Sequence, residues 1–173
     1  VLRATEESLT RAWLARDDHA LVRAGAGFLL LRRGADPRSG IGFARSVRPG
    51  GDAAAGRGLT ACLALVAARL TDAPRALVLE LVARDACPSD LALRVGVGYR
   101  PRRVDLIAGG LVSPAHLRAG DVVTSHHTLS EAELTAIATR AIRVGAIRES
   151  GARPAHEDPV ALDVRLERGS PER

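Results

Sequence analysis

Hydrophobic and polar positions change period several times along the chain, and each change predicts an element. Over residues 5–16, "TEESLTRAWLAR", Leu9, Ala12, Trp13 and Arg16 fall at helical spacing. Glu6 and Glu7 precede them, where acidic residues suit a helix dipole, so a short amphipathic helix capped by Thr5 is expected. "HALVRAG" and "FLLLRR" read as strands broken around Gly25–Gly27 and ended at Gly34. "GADPRSG" is a loop by composition, Ile41 to Val47 a short strand, and the Gly-rich stretch beyond it a flexible loop. From Thr60 to Leu70 apolar residues lie nearly all round a helical wheel, which predicts a buried helix. Asp72-Ala73-Pro74 ends it, and "RALVLELV" follows as a half-buried strand.

The next segment supports two readings, a helix opened by Pro88-Ser89-Asp90 or a strand over "LRVGVGYR". "VDLIAGG" is a helical or extended run stopped at Gly109-Gly110. Val122-Val123 then starts a strand that leads into a helix capped by Thr128 or Ser130, with Glu131 and Glu133 in its first turn. Ile137, Ala141 and Ile142 are expected to face the core. Residues 149–173 are rich in Pro, Gly, Glu and Arg, and "VALDVRLE" within them is a candidate edge strand. The pattern gives one domain over residues 1–148 with a C-terminal tail, in the α+β class or as a two-layer α/β sandwich.

Composition narrows the chemistry. The 173 residues are 46% hydrophobic and 26% charged, as in an ordinary globular domain. Lysine is absent and all 25 basic residues are Arg, which excludes a Schiff-base lysine, a pyridoxal phosphate anchor and a P-loop. The net charge of +5 permits an anionic partner. Arginine is scattered rather than blocked, and aromatic residues are only 2%, so base-stacking platforms for nucleic acid are nearly lacking. No apolar run is long enough to span a bilayer and no secretory leader is visible, so a cytoplasmic protein without membrane contact is expected. Cys62 and Cys87 lack a C-x-x-C spacing and read as buried free thiols.

Candidate site residues are few. His126-His127 offers acid/base capacity near neutral pH, but strand neighbours point to opposite faces, so only one of them can face a cleft. Neither these nor His116 with the cysteines has metal-ligand spacing, and neither a metal nor a cofactor is expected. Asp17-Asp18-His19 reads as a solvated turn. Arg94, Arg100, Arg102 and Arg103 form the densest basic patch, able to fork onto a carboxylate or phosphate. Glu80 interrupts the apolar run and should point away from Leu79 and Leu81.

In order along residues 19–147, "HALVRAG", "FLLLRRG", "GFARSV", "GLTACLALVAARLTDAPRALVLELVARDA", "GGLVSP" and "VVTSHH" resemble segments of the formaldehyde-activating enzyme family. The resemblance implies a sandwich of the ribosomal-protein-S5 domain 2 type. It also implies homo-oligomers, five-subunit rings in that family, with a small-molecule cleft between neighbours. The implied chemistry is lyase-like: condensation, dehydration or cyclisation of an amine-bearing or pterin-like molecule. Phe28, or Gly27 if the gap moves, occupies the place of the family's strand histidine, Leu30 that of its acidic residue and Leu81 that of its lysine. Carried over, His126 or His127 is the acid/base, Gly58, Thr60 and Phe28 line the substrate, and Arg94 or Arg100 clamps an anion. A non-catalytic small-molecule-binding oligomer is the alternative these replacements favour.

Overall fold

The computed structural model describes residues 2–3, 12–25, 28–72, 75–98, 103–137, 140–148 and 160–162. Within them the chain is α+β with few helices, and its strands form three antiparallel sheets. The first, in the order β1-β3-β2, comprises β1 (Leu2–Arg3), β3 (Phe28–Arg33) and β2 (His19–Gly25). The second runs β4 (Val47–Arg48), β10 (Val122–Thr128), β7 (Arg75–Ala83), β6 (Leu63–Asp72) and β5 (Arg57–Gly58). The third runs β12 (Val160–Leu162), β11 (Ile142–Arg148), β8 (Leu91–Val97) and β9 (Arg103–Asp105). Two short helices lie wholly within the described residues, α1 (Ile41–Ser46) and α2 (Glu131–Ile137).

The core lies between the second and third sheets. Leu63, Leu65, Leu77, Leu79, Leu81 and Val123 from one side share a single cluster with Leu91, Leu93, Val95, Ile142 and Val144 from the other. Each such side chain, fully buried, contributes about 2 kcal/mol. The period of two along β7 puts Leu77, Leu79 and Leu81 inside, while Glu80 takes the opposite face and is half-buried, as expected.

Several expectations change. The buried helix over Thr60–Leu70 is strand β6 preceded by a turn. A β-bulge at Val66 shifts the β6–β7 register between Leu65 and Ala67. The inward positions therefore fall at 63, 65, 68 and 70, which breaks the simple alternation by which a strand is recognised. The expected strand from Ile41 to Val47 is helix α1, which buries Gly42 and Phe43. A side chain at Gly42 would place its Cβ 2.0 Å from the Leu111 carbonyl oxygen, so this helix needs glycine where it meets that loop. Of the two readings after Pro88, the strand holds as β8; "VDLIAGG" divides into β9 and a 3-10 turn over Ile107–Gly110.

Strands β2, β3 and β7 stand where the pattern placed them. The start of helix α2 does too, opened by a capping box in which Glu133 accepts from the Ser130 amide at 2.8 Å and Ser130 Oγ accepts from the Glu133 amide at 3.3 Å. The helix expected to carry Ala141 and Ile142 ends at Ile137, however, and Ile142 begins β11. Ile142 is buried as expected, whereas Ala141 is exposed. The tail's expected strand is present as β12 at the edge of the third sheet, paired with β11. Of the expected first helix, residues 12–14 are helical; residues 5–11 lie outside the described residues.

Cys62 and Cys87 are not free thiols. They form a disulfide that ties the turn before β6 to the loop after β7. The two cysteines are distant in sequence but adjacent across the ends of one hairpin, where the Arg84 amide donates to the Cys62 carbonyl at 2.8 Å. No described helix is long and apolar enough to cross a membrane.

Candidate functional site

The residues expected to form a site are dispersed over the three sheets. His127 points from β10 into the inter-sheet core, 1% exposed, and its Nδ1 lies 2.7 Å from Asp105 Oδ2 of β9. This pair joins the two sheets from inside. His126, next to it, faces outward opposite Val78 and is exposed. Thr60 is committed to a turn, where its Oγ1 accepts from the amides of Cys62 at 3.2 Å and Leu63 at 3.0 Å. Gly58 lies in edge strand β5, Phe28 in the separate three-stranded sheet, and Arg94 on the exposed side of β8. Arg100 and Arg102 lie outside the described residues, as does the side chain of Arg103. None of these side chains lines any of three cavities that lie among the described residues.

Those cavities gather elsewhere, where the first sheet meets the connections on either side of α1 and before β10. The largest is an open cleft of about 380 Å³, whose polar lining is Asp17, Asp36, Arg38, His116 and Arg118, with Ala86 on one wall. A second, of about 10 Å³, lies behind it, with His116 and Pro37 common to both. The third, about 20 Å³ and mainly apolar, adjoins Ser113 on its other side.

Local sequence explains how these loops hold their shape. Asp36 accepts from the Arg38 amide at 2.9 Å, and Pro37 supplies the fixed φ for the 3-10 turn Pro37–Ser39. Pro114 begins a matching turn, Pro114–His116, closed by the His116 amide on the Ser113 carbonyl at 3.1 Å. Arg38 binds the two turns together. Its guanidinium donates to both carboxylate oxygens of Asp121, at 2.5 and 3.0 Å, and to the His116 carbonyl at 2.8 Å. Asp121, 3% exposed, also accepts from the Arg118 amide at 2.8 Å. Burial alone would raise the Asp121 carboxyl. The hydrogen bonds from Arg38 and Arg118, with their positive charge, outweigh it and hold the group below the ordinary carboxylate range. Arg38 is raised correspondingly, chiefly by its hydrogen bonds to Asp121.

His116 is the group in the cleft without a structural commitment. Its side chain is only 8% exposed. Nε2 lies 3.3 Å from Asp17 Oδ1, without hydrogen-bond alignment, and Nδ1 has no partner among the described residues. Its ring packs beside Phe43, whose face also carries the Arg38 guanidinium at 5.2 Å. Ser113 Oγ is likewise buried and unpaired. Buried polar atoms are nearly always paired, and these two residues border one cavity.

His19 stands across the second cavity. Its Nδ1 is 2.7 Å from Asp18 Oδ1, and Trp13 meets its ring edge-on. The adjacent acid and histidine do meet here, where a solvated turn was expected. Hydrogen bonds from Arg16 and then His19 hold the Asp18 carboxyl at about 2. No group of three or more His, Cys, Asp or Glu among the described residues has metal-binding geometry.

Sequence reasoning missed His116, Ser113 and the Arg38–Asp121 pair. The available signals were the paired "DPRS" and "SPAH" turns, each a short polar residue followed by Pro, which fix loops rather than merely end elements. No protein family, curated protein or solved structure matches the chain.

Proposed function

We propose that this protein is a small-molecule-binding module, with the cleft beside His116 as its ligand seat. One observation carries the reading: a nine-tenths-buried imidazole with unmatched ring nitrogens forms the wall of the largest described cleft. The volume of about 380 Å³ is in the range of small-ligand sites. Asp17 and Asp36 favour an amine-bearing ligand, and Arg118, whose guanidinium is not held by the Arg38–Asp121 clamp, suits an anionic group on the same molecule. An NMR screen of amine-bearing compounds, read at the His116 ring resonances, tests this. Binders should shift those resonances and lose affinity in His116→Ala; binders that shift only residues outside the cleft would sink the proposal.

A second reading is an enzyme that promotes condensation, dehydration or cyclisation of such a ligand on an S5-type, ring-forming scaffold, as the family resemblance implies. The approach of His116 Nε2 to within 3.3 Å of Asp17 Oδ1 favours it, because a rotation of that exposed carboxylate into alignment would give a pairing that proton transfer employs. Native mass spectrometry showing five-subunit rings, together with turnover lost in His116→Ala, would support it; a monomer that returns its ligand unchanged would remove it. The Cys62–Cys87 disulfide weighs against the cytoplasmic location expected from sequence, because cytosolic thiols are kept reduced. Non-reducing mass analysis of protein taken directly from cells decides between the two.

A further inference from the structure

Behind the cleft, the cavity of about 10 Å³ is bordered by Leu21, Phe43 and Leu111 as well as His19, Ser113 and His116. We infer that it is the specificity subsite of the proposed ligand cleft, and that it takes one uncharged hydrogen-bonding atom, a hydroxyl at the end of the ligand. This rests on the binding-module reading.

Size, polarity and charge each select the occupant. A space of this volume holds about one water-sized group. Ser113 Oγ and His116 Nδ1 are both buried without partners. A methyl group there would leave the two polar atoms unpaired, whereas a hydroxyl both donates and accepts and satisfies them together. No carboxylate borders the cavity, so an ammonium group would be buried without a counter-charge. The charged end of the ligand therefore belongs in the outer cleft, with Asp17 and Asp36, and the neutral end passes His116 to reach Ser113. The ligand class that fits is an amino alcohol.

The probes are 2-aminoethanol, propylamine and ethylenediamine, which share one amine and differ in the second terminus: hydroxyl, methyl or ammonium. Their affinities for the whole protein are measured by NMR titration. The expected result is that 2-aminoethanol binds about tenfold more tightly than either of the others. In Ser113→Ala it should fall level with propylamine. Equal affinities in the unaltered protein, or a preference that survives in Ser113→Ala, would overturn the inference.

A high-resolution crystal structure of the ligand-free protein separates this inference from the reading beneath it. A water hydrogen-bonded to both Ser113 Oγ and His116 Nδ1 supports the hydroxyl subsite; if no amine then binds, the amine-binding cleft alone fails. A dry cavity, or a direct Ser113–His116 hydrogen bond, overturns the subsite and leaves the outer cleft standing.

Discussion

His127 and His116 are both almost fully buried, yet their surroundings give them opposite capacities. His127 sits in β10 opposite Leu77 of β7, and its imidazole meets a carboxylate from the facing sheet at 2.7 Å. Its Nε2 has no partner either, but none of the three cavities adjoins it. His116 sits at the end of a one-turn 3-10 segment, its nearest carboxylate belongs to the 99% exposed Asp17, and it borders two cavities. An imidazole enclosed with its counter-group crosslinks a core; one with unmatched nitrogens beside two cavities is the one we propose as a ligand seat. Burial and chemistry alone do not separate the two. The adjoining space does.

The largest expected effect tests the frame that holds both histidines. Replacing Cys62 and Cys87 by serine opens a loop of sequence separation 25, and loop-closure entropy puts the loss at about 3.5 kcal/mol. The effect should be uneven, because the Cys87 amide donates to the Pro114 carbonyl at 3.3 Å, where the His116 turn begins. Urea denaturation reads the total. Hydrogen exchange should show the Leu117 amide, bonded to Pro114 O at 3.2 Å, losing protection before the amides of β10. Equal loss in both places would remove the distinction between a loop-borne and a core-borne histidine.

Next comes the comparison itself. Asp105→Ala leaves His127 enclosed without its carboxylate and should cost about 3 kcal/mol. His116→Ala removes no hydrogen bond made by the ring and should cost about 1 kcal/mol, through lost packing on Phe43. Thermal unfolding of the two variants gives the order. A reversal would assign His116 the structural role and remove the proposed ligand seat.

Acid sharpens the contrast further, through the clamp beneath His116. The folded-state Asp121 carboxyl lies below its unfolded value near 3.9. Its contribution is therefore complete above about pH 4 and is lost as the pH falls through the lower folded value. Asp121→Asn should weaken the protein near neutral pH by about 2 kcal/mol and flatten the acid limb of its stability curve. Retention of the full acid slope in that variant would transfer the linkage to other carboxylates, such as Asp18, which is held at about 2.

The contrast also explains how much the sequence could disclose. The nearly continuous apolar run "RALVLELV" and the capping pair Ser130–Glu133 mark β7 and α2, although β7 is buried on both faces where a half-buried strand was expected. β6 escaped because the bulge at Val66 breaks the period of two, and α1 because six residues are too few to show a helical period. The disulfide and the His127–Asp105 bridge join segments that only sheet packing brings together. His116 was visible as a residue but not as a site: its distinction is the lack of partners, a property of the folded surroundings.

The smallest expected effect is the sharpest test of where the chemistry lies. His126 is the neighbour of His127, and the family resemblance places acid/base work on one of this pair. In the structure it projects from the outer face of β10, exposed and across from Val78, away from all three cavities. His126→Ala should change stability by no more than about 0.5 kcal/mol, as for an ordinary surface position. Amine binding in the cleft should be unaltered, since His126 lines neither cavity that His116 borders. Loss of binding in His126→Ala, with the fold intact, would move the ligand from the loop cleft to the outer face of the five-stranded sheet. The functional histidine would then be the one the sequence singled out, and the lack of partners at His116 would need another cause.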